Sequence, residues 1–185
     1  MNEEYFEAID NEVINLHYFW VIFKNTYAVE KNIDLLNRFD PHFFGIVQNL
    51  YWDSILLNIS KLTDKEYNGS NRNLSLLTIY NDLENELDNS IRRELNNKIN
   101  KIKELEKKVR FHRSKRITHK DLKSVFYGKE FESNGISRND IDEILSLIRE
   151  FMNIILIYKN KPEKQYNIFM KPMSGEILIY NLEHS

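Results

Sequence analysis

Phe6, Ile9, Val13, Leu16, Trp20, Phe23 and Tyr27 follow one another in alternating steps of three and four residues. That is the period of an α-helix with one apolar stripe, so the chain is expected to open with a single long helix packed on neighbours. A shorter helical piece, Val29 to Arg38, either continues it or bends away. Asp40-Pro41 then marks a new start, because aspartate caps a helix and proline suits its first turn. From Pro41 to Thr63 the apolar positions (Phe43, Phe44, Val47, Leu50, Tyr51, Ile55, Ile59 and Leu62) cover most of the circumference. This pattern predicts a central, buried helix, with Tyr51 and Trp52 in the core and not serving as stacking platforms. Gly45 inside it costs about 1 kcal/mol against alanine, which a close helix crossing would explain.

Asp64 to Arg72 (DKEYNGSNR) reads as a polar loop, and Asn73 is placed to cap a helix through Leu76, Leu77, Tyr80 and Leu83. Ser90 can begin another, with Ile91, Leu95, Ile99, Ile102, Leu105 and Val109 facing the core. It leads into Arg110 to His119, after which a short helix to Tyr127 would end at Gly128. Ser137 and Asp140 resemble a capping box ahead of the last long helix, marked by Ile141, Ile144, Leu145, Ile148, Phe151, Met152 and Ile155. Beyond Pro162 the stretches Tyr166 to Met170 and Glu176 to Tyr180 are β-prone and flank Lys171-Pro-Met-Ser-Gly175. The expectation is an all-α bundle over residues 1–160 with a small C-terminal β-hairpin over residues 161–185.

Composition narrows the function. A chain of 185 residues with 42% hydrophobic and 29% charged positions fits one soluble domain. Its lack of cysteine excludes disulfides, thiolate metal sites and cysteine nucleophiles, and it suits a reducing cytoplasm. The acidic start lacks the order of a secretory signal, and no apolar run is long enough to span a bilayer. The net charge of −2 hides a basic segment. Lys98 to Lys123 holds eleven Lys/Arg against Glu104, Glu106 and Asp121, a local +8 that would attract an acidic partner such as RNA.

Within that segment lies HRSKRITHKD, His112 to Asp121. A guanidinium stays charged at neutral pH, whereas an imidazole can carry a proton to and fro. Arg113 would hold a phosphate while His119 takes the 2′-hydroxyl proton or donates one to the leaving 5′-oxygen, so RNA is cut without a metal. Ser114 and Thr118 are candidate hydrogen-bond donors. Arg110, Lys115, Arg116 and Lys120 are candidate phosphate contacts. Asp64 could orient His119 or pair with Arg113 if the two regions meet. His112 is a second candidate proton carrier, or a surface histidine. In an unbroken helix Arg113 and His119 are separated by a net turn of about 240° and would leave on different faces, so the pattern predicts a helix end near Arg113 and a new turn near His119, or a site shared across a two-fold dimer. No His, Asp or Glu set has metal-ligand spacing, and no Gly-rich phosphate loop is present, so neither metal nor cofactor is expected.

Two stretches together, FFGIVQNLYWDSILLNISKLTDKE with the following NLSL (Phe43 to Leu76) and RSKRITHKDL (Arg113 to Leu122), resemble the HEPN superfamily and within it the AbiU-type abortive-infection proteins. The resemblance covers roughly residues 1–159. It implies a HEPN-like helical bundle, a homodimer, and an Arg-x5-His centre, Arg113 and His119, cutting RNA without metal in a toxin or phage-defence system. An antitoxin or other regulatory protein is an expected partner. The position after the motif arginine, often Asn, Asp or His in the family, is Ser114 here. The tyrosine that some antitoxin-paired members carry two residues after the histidine is Asp121. The alternatives are a non-catalytic helical dimer binding RNA, a nucleotide or a protein partner, and a module that docks an acidic protein through the basic segment.

Overall fold

The structure, a computed structural model, describes residues 3–113, 135–169 and 174–185. Seven helices are seen among them: α1 (Glu3–Tyr27), α2 (Glu30–Phe39), α3 (Pro41–Leu62), α4 (Leu76–Leu83), α5 (Asn89–His112), α6 (Arg138–Tyr158) and α7 (Glu176–Glu183). The described residues fall into two compact units. One comprises those of Met1–Val13 and Leu56–Lys164, and the other those of Ile14–Ile55 and Gln165–Ser185.

In the first unit α5 packs on α6. Leu95, Ile99, Ile102 and Val109 are buried on α5. All seven positions expected on α6 are buried, together with Leu147 and Leu156. Each such side chain contributes about 1.5–3 kcal/mol over leaving it in water. The capping box at the start of α6 is present: the Asp140 N–H donates to Ser137 Oγ, and the Ser137 N–H donates to Asp140 Oδ2. Lys108 of α5 donates to the same carboxylate at 2.7 Å. Burial opposes the Asp140 charge, but the bonds from Lys108 and Ser137 outweigh it and hold the carboxyl at about 2. At the other end of α6, Glu3 of α1 accepts from Lys159 and Lys161.

Two short strands, β1 (Tyr67–Asn68) and β2 (Asn71–Arg72), pair antiparallel within the stretch expected to be a loop. Arg72 binds Glu66 and Asp82, and Asn81 Nδ2 donates to Glu66 Oε2 at 2.6 Å. Asn73 does not cap α4. Its backbone N–H donates to Glu66 O and its amide to Lys65 O, closing the hairpin. The cap is Ser75, whose side chain accepts from Thr78 N. Asp40 does cap α3, accepting from Phe43 N at 2.9 Å.

In the second unit an aromatic cluster joins α1 and α3. Trp20 stacks on Phe23 with centroids 5.5 Å apart, and Trp52 lies 5.4 Å from Phe23. Tyr51 meets Phe19 edge-on at 6.0 Å, so Tyr51 and Trp52 pack against rings of α1 but are half-buried, not in the core. The first half of α3 is not buried, however. Phe43, Ile46 and Leu50 are 57%, 61% and 64% exposed, and a Cβ at Gly45 would meet nothing within 4 Å, so no close crossing explains that glycine.

The C-terminal hairpin is also corrected: Glu176–Glu183 is helix α7, packed on α2, with Lys31 of α2 paired to Glu183 at 2.6 Å. Gly175 starts α7 at φ 81°, and a Cβ there would lie 2.8 Å from Thr26 Oγ1. Gly175→Ala should therefore destabilise the protein by about 2–4 kcal/mol, through left-handed strain and overpacking together. Urea unfolding of the two proteins checks this, and equal midpoints would refute the close approach.

Candidate functional site

One face of α5 carries Lys103, Glu106 and Arg110, and the cap residue Arg113 continues the same steps of three and four. Together with Thr63, Asp64 and Lys65 after α3, Tyr67 and Asn68 of the hairpin, Asn73, and Leu77 of α4, they line a cavity of about 660 Å³. All of these residues belong to the first compact unit.

Arg110 is the hub. Its Nε lies 2.5 Å from Glu106 Oε1, one turn back on α5, and its Nη2 lies 3.1 Å from Asp64 Oδ1. A longer bond of 3.5 Å runs from the same Nη2 to Thr63 O. Glu106 is only 4% exposed, a carboxylate that water does not stabilise and that needs the cation beside it. Burial works against the Arg110 charge, but Glu106 and Asp64 outweigh it and raise its pKa above the ordinary arginine value. The regions around Asp64 and α5 therefore do meet, and Asp64 pairs with Arg110.

The described part of α5 runs up to the motif, and Arg113 itself keeps a helical backbone conformation. His112 is its last residue, and Arg113 follows as the cap, half-buried, its N–H bonding back to Val109 O and Arg110 O. A cation at this end is favoured by the helix dipole. His112 Nε2 accepts from Ile136 N at 3.1 Å, and the ring ties the end of α5 to the segment before α6. This is an anchoring role. Ser114, Lys115, Arg116, Thr118, His119 and Lys120 lie outside the described residues, as does the short helix expected to run to Tyr127.

Several cations of the basic run are already matched: Lys98 with Glu150, Lys107 with Glu104, Lys108 with Asp140. Around the cavity the balance differs. Arg110 sits between two carboxylates, whereas none among the described residues pairs with Lys65, Lys103 or Arg113. The lining keeps a net positive charge suited to an anion.

Sequence reasoning brought Asp64, Arg110 and Arg113 forward and missed Glu106, Lys103, Lys65, Tyr67 and Asn68. The spacing of Glu106, four residues before Arg110, was the available signal. His17 is buried near Tyr166, their rings 5.8 Å apart. His184 stacks on Tyr180 in the terminal segment. Among the described residues no group of His, Asp and Glu could hold a metal, and no helix is long and apolar enough to cross a membrane.

Neither the curated proteins nor the solved structures yielded a match. The model of one protein family, described as HEPN_AbiU2, AbiU2, matches residues 3–158, from the start of α1 to the end of α6. With most of its length matched and the arginine of its Arg-x5-His pattern at the end of α5, the chain belongs to the AbiU2 family of HEPN proteins.

Proposed function

We propose that this protein is a metal-independent endoribonuclease of a toxin or phage-defence system, with Arg113 and His119 as its catalytic pair. The observation that carries the reading is the position of Arg113: it caps α5 and lines a cationic cavity without a carboxylate partner among the described residues. Arg113 stabilises the phosphate oxygens while the ribose 2′-OH attacks the adjacent phosphorus and the bond to the 5′-oxygen breaks. His119 moves the proton, and the products end in 2′,3′-cyclic phosphate and 5′-hydroxyl. Lys115, Arg116 and Lys120 hold the strand, with Ser114 and Thr118 as supporting donors.

The test is RNA cleavage in excess EDTA by the unaltered protein and by folded His119→Ala. Cleavage by the unaltered protein alone, leaving cyclic phosphate ends, supports the reading. Persistent cleavage by His119→Ala removes the proposed mechanism. Intact RNA with both, but binding that falls steeply with salt, turns the reading to a non-catalytic RNA binder.

The reading includes a homodimer. Phe43, Ile46 and Leu50 form an exposed apolar stripe on α3 at helical spacing, a surface that a second copy would cover. Ile46→Glu with Leu50→Glu should turn a dimer into a monomer in sedimentation analysis and reduce cleavage with it. An unchanged sedimentation coefficient would exclude this face.

A further inference from the structure

We propose that the hairpin wall of the Arg113 cavity is a nucleobase subsite, in which Tyr67 stacks on the base next to the phosphate that Arg113 holds in single-stranded RNA. The nature of the strand rests on the ribonuclease reading above, whereas the subsite itself rests on the cavity.

Tyr67 is 55% exposed on a two-residue strand and also lines the cavity, among neighbours that are mostly polar or charged. An aromatic ring left in water at such a place gains by being covered with another flat ring. The hairpin that carries it is braced at several points. Asn73 bonds Glu66 O and Lys65 O, each at 2.7 Å, and Arg72 joins Glu66 to Asp82. The ring is thus presented from a held segment, and little order has to be created when a base arrives.

The rest of the wall matches a nucleotide. Lys65 and Lys103 supply positive charge besides Arg113, and the exposed Asn68 offers an amide that can both donate and accept at a base edge. A volume of about 660 Å³ is in the range of small-molecule clefts and leaves space for a base with its phosphate. Stacking on a tyrosine tolerates every base. The subsite therefore favours unpaired over duplex RNA and gives only weak sequence preference.

The test uses the full chain carrying His119→Ala, with a short fluorescent single-stranded RNA and an abasic strand of the same length. Tyr67→Ala should weaken RNA binding about tenfold or more, while Tyr67→Phe keeps it. The salt slope should stay unchanged, because no phosphate contact is lost. The unaltered cavity should bind the abasic strand as weakly as Tyr67→Ala does. Equal RNA binding by Tyr67→Ala, an equal loss on the abasic strand, or no RNA binding at all would overturn the subsite. Cleavage by the unaltered chain is scored separately. Tyr67-dependent binding without cleavage removes the nuclease reading and keeps the subsite, and cleavage without a Tyr67 effect does the reverse.

Discussion

Arg113→Ala should lower the rate of RNA cleavage by about 10²–10³-fold, the usual cost of removing one preorganised donor from a developing negative charge. Arg113→Lys should recover only part of it. A lysine keeps the charge but loses the planar fork that meets two phosphate oxygens at once. The loss should appear mainly in kcat, because the oxygens gain charge on the way to the transition state. Stability should hardly move, since no carboxylate among the described residues depends on Arg113 for its partner. Single-turnover cleavage at saturating protein, with thermal unfolding as the control, separates these outcomes. Unchanged cleavage by a folded Arg113→Ala protein would remove Arg113 from the mechanism.

How far the chain could be read depended on whether its signals were local. The stripe from Phe6 to Tyr27 is buried at every predicted position, because a single helical face states both its period and its direction. The same holds for α6, whose capping box fixes where it begins. The first half of α3 misled for the opposite reason. Apolar residues all round a helix give no direction, and composition alone cannot say that Phe43, Ile46 and Leu50 would stay exposed. The run Glu176 to Tyr180 is β-prone but too short to distinguish strand from helix. Gly175 at positive φ and packing of α7 on α2 decided the matter. For the site, both ends of the Asp64–Arg110 pair were legible as candidates. Their meeting across 46 positions was not, since it depends on how the segment after α3 and helix α5 sit together within the first unit. Tyr67 and Lys65 were hidden in a polar stretch whose strands are two residues long and show no period.

Arg110, a candidate phosphate contact by sequence, has a second role in the structure, and the two predict different losses. As a phosphate contact, its loss would flatten the salt dependence of RNA binding by about one charge and leave stability alone. Its geometry argues for a structural role, with both neighbouring carboxylates engaged and Glu106 buried beneath it. Arg110→Ala should therefore destabilise the protein by about 2–3 kcal/mol, most of it from leaving a buried carboxylate uncompensated. Glu106→Gln should cost less, about 1 kcal/mol, because the amide still offers an oxygen and Arg110 keeps Asp64. Arg110→Met combined with Glu106→Leu should recover much of the loss, since the buried carboxylate is then gone together with its cation. Cleavage should fall with Arg110→Ala as well. Arg113 stands one turn further along the same face, and the wall that positions it would have lost its brace. Urea unfolding of the three variants, read beside their salt slopes for RNA, distinguishes the roles. A stable Arg110→Ala protein with a shallower salt slope would make Arg110 a grip on the strand and not the clamp of the cavity wall.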